Sequence, residues 1–117
     1  MKHANDEKLV AAVYNVTSES LVKLVKEKCA PDYLLRQTAE ECAELAQAAL
    51  KLIRSKNGET PICVEVAMRK YLEELADVLT MTELAFEDLD QMQRNEVGEI
   101  THFKVKRMKE RLEKGYN

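Results

Sequence analysis

The sequence predicts an all-α fold, a compact helical bundle of about four helices in one domain spanning residues 1–117. Three observations carry this. Gly and Pro are scarce, at 3 and 2 residues, so the turn supply of an all-β chain is missing. Apolar residues recur at helical spacing through most of the chain. Helix-capping residues stand where those periodic runs begin and end. A chain of 117 residues with 45% hydrophobic and 33% charged side chains has the material for one packed core and is not a disordered polymer.

The elements follow in order. A first helical region runs from about Asn5 to Lys28, with a break at NVTSES, and Pro31 closes it. Asp32 is placed to cap a second helix that extends to about Lys56. KNG then stops it, with Gly58 at the left-handed position after the last turn. Thr60-Pro61 reads as an N-cap followed by proline at the first helical position, opening a third helix to about Leu89. The polar stretch DQMQRNEVGE reads as a connection to a last helix, about Ile100 to Lys114, ended by Gly115.

Composition narrows the function. A formal net charge of −3 argues against nucleic-acid binding through a basic surface. No apolar run approaches a membrane span and no signal peptide opens the chain, so a cytoplasmic protein with no membrane partner is expected. Cys29, Cys42 and Cys63 are odd in number and widely spaced, and the only histidines are His3 and His102. That set does not build a structural zinc site, and buried or reduced thiols are the expectation.

Against this background two short stretches stand out: EECAE at 40–44 and EELAD at 73–77. Like charges three and four apart on a helix repel, so a compensating cation is the first thing to look for. At about 100° per residue, Leu34, Thr38, Cys42, Leu45, Ala49, Leu52 and Ile53 form one stripe of the second helix. Glu41 lies inside its margin, Glu44 just beyond, and Glu40 further towards solvent. On the third helix Val64, Met68, Tyr71, Leu75, Val78, Thr82 and Phe86 form the core stripe, with Glu74 and Asp77 on one margin and Glu73 pointing outward. Each helix thus offers an i, i+3 carboxylate pair beside its seam. If the two helices pack antiparallel through KNGETP, the pairs face each other. Four carboxylates there would repel strongly without cations, and oxygen-only ligation suits Mg²⁺ or Mn²⁺.

EECAE followed by EELAD resembles the EExxE…ExxD signature of the MazG-like all-α nucleoside triphosphate pyrophosphohydrolases. The resemblance covers roughly residues 33–115, including ELAQAALKL and DVLTMTELA, and residues 1–30 match less. It implies a Mg²⁺-dependent enzyme that cleaves a nucleoside triphosphate to the monophosphate and pyrophosphate. It further implies Glu41, Glu44, Glu74 and Asp77 as metal ligands, Glu40 as an orienting or water-activating residue, and a homodimer or homotetramer whose sites a partner subunit often completes. The related phosphoribosyl-ATP pyrophosphohydrolases tend to carry Tyr-His shortly after the ExxD aspartate, whereas Val78-Leu79-Thr80 follows here. One motif pair is present, as in compact single-domain members.

The C-terminal segment THFKVKRMKERLEKG is basic. Lys104, Arg107 and Arg111 share one face, with Ile100 and Met108 among them, so this row is expected to face partly inward. It can contact triphosphate oxygens or pair with acidic residues of a neighbouring helix or subunit, and the family pattern implies the first. His102 reads as a rim residue. Tyr33, Tyr71 and Phe86 read as core, and Tyr14 and Tyr116 carry no signal.

The expected chemistry needs no Ser, Cys or His nucleophile: cations neutralise the triphosphate and acidify the water that attacks the α-phosphorus in line, while Glu40 or a ligand takes its proton. A di-iron carboxylate bundle would require Glu-x-x-His on two helices, which neither motif has. The remaining alternative is a non-catalytic helical interaction protein with an acidic, partner-binding face.

Overall fold

A computed structural model describes residues 17–115. Among them lie four α-helices and no strand, so the protein is all-α. The helices are α1 (Ser18–Lys28), α2 (Tyr33–Lys56), α3 (Val64–Glu87) and α4 (Gln91–Glu113). The expected helical region before Thr17, and Tyr14 and Tyr116, lie outside the described residues.

Local chemistry sets the boundaries. Thr17 in NVTSES is the N-cap of α1, its Oγ1 accepting the Ser20 N–H at 3.1 Å. Asp32 stands at the N-cap of α2 as expected, but its side chain makes no cap hydrogen bond; its carboxylate takes the Arg36 Nε–H at 2.6 Å instead. Gly58 sits at φ +70 after α2, the conformation that glycine adopts without a Cβ penalty. Two expected boundaries differ. α3 starts at Val64 after Cys63, and Thr60-Pro61 belongs to the preceding turn. That turn is tied to α2 by the buried Ser55, whose Oγ donates to the Ile62 carbonyl at 2.8 Å. The stretch expected as a polar connection is helical from Gln91 onward. Asp90 accepts the Gln93 N–H at 2.8 Å while the Gln93 side chain accepts the Asp90 N–H at 3.0 Å, a reciprocal cap that starts α4 nine residues early.

α2 and α3, each about 36 Å long, form the principal packing, and α1 lies on α3. Glu44 in the middle of α2 meets Glu74 in the middle of α3, so the two run antiparallel from their connection. The covered residues of α2 include Leu34, Thr38, Glu41, Leu45, Ala48, Leu52 and Ser55; those of α3 include Ala67, Tyr71, Glu74, Val78, Met81 and Ala85. Their spacing alternates between three and four, the pattern of a left-handed helix pair. This corrects the expected stripes: Cys42, Ile53, Thr82 and Phe86 are exposed, and Glu74 lies in the seam rather than on its margin. Val22, Leu34 and Leu84 form the core where α1 joins, with Leu21, Val25, Tyr33 and Met81 packed around them.

α4 corrects a further expectation. None of its residues is buried, and Phe103 and Met108 are 61% and 62% exposed. Lys104, Arg107 and Arg111 therefore face solvent rather than inward within one chain. The reason is in its pattern: Met92, Val97, Ile100, Val105 and Leu112 spread widely around the helix, leaving no narrow stripe to lie on the α2–α3 pair.

Candidate metal centre

The seam of α2 and α3 brings three carboxylates together. One oxygen each from Glu41, Glu44 and Glu74 lies within 4.8 Å of the others. Small residues at the same seam, Ala48 and Ala67 fully buried, let the two helices approach closely enough for side chains of both to meet. Glu74 is 4% exposed, Glu41 half-buried and Glu44 exposed, so the group opens from a dry floor to a wet rim.

The floor is under-satisfied. Among the described residues, Oε2 of Glu41 and Oε2 of Glu74 are shut off from solvent without a hydrogen-bond partner. A buried acceptor left so costs its desolvation, and a carboxylate more than a neutral group. Two residues of the cluster, on different helices, thus each carry an orphaned buried oxygen, and a set of hard oxygen donors of this kind suits a divalent cation of the Mg²⁺ or Mn²⁺ type.

Protonation is arranged accordingly. The Glu44 carboxyl is pushed above its usual value, first by its hydrogen bond to Glu74 and then by the negative charges of Glu41 and Glu74. Glu74 is held below its usual value, chiefly by Lys70, whose Nζ lies 2.7 Å from Oε1, against the opposing effect of burial. The same contact raises Lys70. Charge in the cluster is thus offset by one ammonium and by a proton that settles most readily on Glu44.

The other expected site residues stand around this group. Asp77, one turn beyond Glu74, is exposed and is not one of the three gathered carboxylates. Glu40 is exposed and accepts the Gln37 side-chain amide at 3.3 Å. Glu73 takes part in a surface pair with Arg69 at 3.4 Å. On α4 the Arg107 guanidinium lies over the Phe103 ring, 5.9 Å from its centre. His102 is exposed, as expected of a rim residue.

Two lysines went unread in the sequence. Lys51 and Lys70 line a cavity of about 240 Å³ with Glu44, Gln47, Ala48 and Glu74. Their spacing carried the signal: Lys70 precedes Glu74 by four residues and Lys51 follows Glu44 by seven, so each shares a helix face with a cluster carboxylate. The three cysteines are free, Cys29 half-buried and Cys42 and Cys63 exposed. Among the described residues no helix is long and apolar enough to cross a membrane. Comparison with protein-family models, curated proteins and solved structures finds no match to this chain.

Proposed function

We propose that the protein is a Mg²⁺-dependent nucleotide pyrophosphohydrolase that converts a nucleoside triphosphate to its monophosphate and pyrophosphate. One observation carries this reading: Glu41, Glu44 and Glu74 converge from two helices with buried oxygens that no protein group satisfies. The EExxE…ExxD resemblance supplies the reaction class.

Glu41, Glu44 and Glu74 would hold the ion, with Asp77 one turn away as the fourth ligand. When bound, the ion neutralises phosphate charge and makes a neighbouring water more acidic. The chain's own residues do the rest. Glu40 on the exposed face of α2 accepts the proton of the attacking water. Lys51, at the edge of the cavity, holds a phosphate oxygen. The buried floor keeps bulk water from the carboxylates.

The active assembly in this proposal is a homodimer, or a tetramer of dimers. Most helices draw their stability from tertiary packing, which α4 lacks within one chain while exposing several large apolar side chains, so α4 calls for a covering surface. Its exposed Ile100 and Met108, interleaved with Lys104, Arg107 and Arg111, match a face that is both apolar and acidic. The α2–α3 hairpin of a second copy offers both characters, exposing Leu50, Leu72 and Leu79 as well as Glu40, Glu73 and Asp77. Arg107 and Arg111 would then reach triphosphate oxygens in the partner's site. Three free thiols fit the reducing cytoplasm, where we place the protein.

The test is direct. The purified protein is incubated with a panel of ribo- and deoxynucleoside triphosphates and Mg²⁺, and products are resolved by chromatography. Equimolar monophosphate and pyrophosphate from at least one substrate is expected. Turnover of none, together with no thermal response to Mg²⁺ or Mn²⁺, would favour the non-catalytic interaction protein.

A further inference from the structure

We propose that Lys70 is a built-in place-holder cation: in the metal-free protein its ammonium holds the buried Glu74 beside Glu41 and Glu44, and a divalent ion competes with it for that carboxylate. The inference rests on the metal reading of the cluster and adds a control on how readily the site loads.

Three features of Lys70 carry it. Its Nζ contacts Glu74 Oε1 at 2.7 Å, while Glu74 Oε2 remains buried and without a partner. A single ammonium therefore meets only part of the cluster's demand for positive charge, and Glu41 Oε2 is left unmet as well. The Lys70 side chain is 61% exposed against 5% for that of Glu74, so the ammonium can leave without disturbing the packed seam. Finally, Lys70 has somewhere to go. Glu73, which also pairs with Arg69, lies three residues along the same helix face, exposed to solvent, and Lys70 lines a cavity together with Lys51.

The physical logic is competition. An ammonium and a divalent ion on the same carboxylate repel each other, so ion binding and the Lys70–Glu74 contact oppose one another. Stability of the metal-free state is thereby obtained at the cost of metal affinity. Once displaced, Lys70 stands next to the bound ion with its charge free for a phosphate, as a positioning residue.

The experiment measures Mn²⁺ binding to the full chain by the EPR signal of free Mn²⁺, alongside melting in EDTA. Wild type, Lys70→Gln, Lys70→Arg and Glu74→Gln are compared. Lys70→Gln is expected to bind Mn²⁺ about three- to tenfold more tightly than wild type, the range that loss of one competing ion pair allows. It should also melt lower than wild type in EDTA, an opposite sign that a purely structural ion pair would not give. Lys70→Arg, which keeps the cation, should stay near wild type, and Glu74→Gln should bind weakly. Equal or weaker Mn²⁺ binding by Lys70→Gln, or an equal tightening in Lys70→Arg, would overturn the place-holder and leave the metal site standing. Absence of Mn²⁺ binding in wild type and Lys70→Gln alike would overturn both.

Discussion

Glu41→Gln isolates the metal site with the least disturbance of the fold. The side chain keeps its size at a half-buried seam position, and only the charge is lost. In the metal-free protein that loss relieves repulsion with Glu44 and Glu74, so melting in EDTA should hold or rise slightly. The metal response should collapse. An ion at 100 times its dissociation constant stabilises a native state by about 2.7 kcal/mol. With roughly 100 ordered residues, an unfolding entropy near 0.2 kcal/mol/K turns this into a rise of about 13 °C. In the proposed site three gathered carboxylates and Asp77 would share the ion, and removing one should weaken binding by about 100-fold, the upper end of what even outer ligands contribute. At the same Mg²⁺ concentration the stabilisation then falls to about 0.4 kcal/mol, or about 2 °C. Differential scanning calorimetry of both proteins, in EDTA and in Mg²⁺ saturating for wild type, makes the comparison. A Glu41→Gln protein that keeps the full Mg²⁺-dependent rise would refute the assignment of Glu41 as a ligand.

The pH profile of metal-free stability has a defined sign. Glu44 is raised on folding, so its contribution is complete below the ordinary glutamate value and is lost as pH climbs through its raised folded value. Urea midpoints in EDTA should fall across that window in wild type but not in Glu44→Gln. Glu74 is lowered, so its contribution is present above the ordinary value and is lost as pH drops through the folded one; Glu74→Gln should remove that acid limb. For assembly, Phe103→Glu combined with Met108→Glu should convert a sedimenting dimer to monomer at micromolar concentration, whereas a monomeric wild type would refute the dimer. In turnover, Asp77→Asn should lower kcat and Mg²⁺ affinity together, by tenfold or more, while Arg107→Ala should raise KM for the triphosphate and leave Mg²⁺ binding unchanged. An Asp77→Asn protein as fast as wild type at saturating Mg²⁺ would remove Asp77 from the ligand set. The double change Glu41→Leu and Glu74→Leu should raise the melting temperature by several degrees in EDTA and abolish the Mg²⁺ response, as read by calorimetry.

Much of the fold was legible because chain punctuation is local chemistry. Gly58 and the Asp32 boundary placed α2 to within a residue or two. The start of α4 was missed because Asp90 and Gln93 form a reciprocal cap that looks, residue by residue, like polar connection. The seam was misphased for a geometric reason. A wheel at 100° per residue drifts by about 20° per heptad from a pair that packs every 3.5 residues. At Glu74, ten residues into α3, that drift is only about 30°, and it adds to a stripe centred on Val64 and Phe86, both of which are exposed in the structure. The wheel also favoured large side chains for the core, whereas the seam uses Ala48 and Ala67 and leaves Leu50, Leu72 and Leu79 outside. A single sequence marks such residues as apolar but does not say whether they face their own chain or another.

Glu41 and Glu74 occupy positions where a helix pair ordinarily places leucine or alanine. A hairpin selected for stability alone would not keep two carboxylates from opposite helices in contact at its seam, each with an unpaired buried oxygen. Lys70 offsets part of this conflict through Glu74 Oε1, and a proton on Glu44 offsets more. The remaining demand is for a compact, multiply charged cation able to accept oxygens from both helices at once. The small residues beside the cluster serve that demand, because only a close helix approach brings the two carboxylate sets within bonding range of a single ion. The seam spacing is that of any left-handed helix pair, whereas the unsatisfied buried charge at that seam is what the proposed ion site would account for.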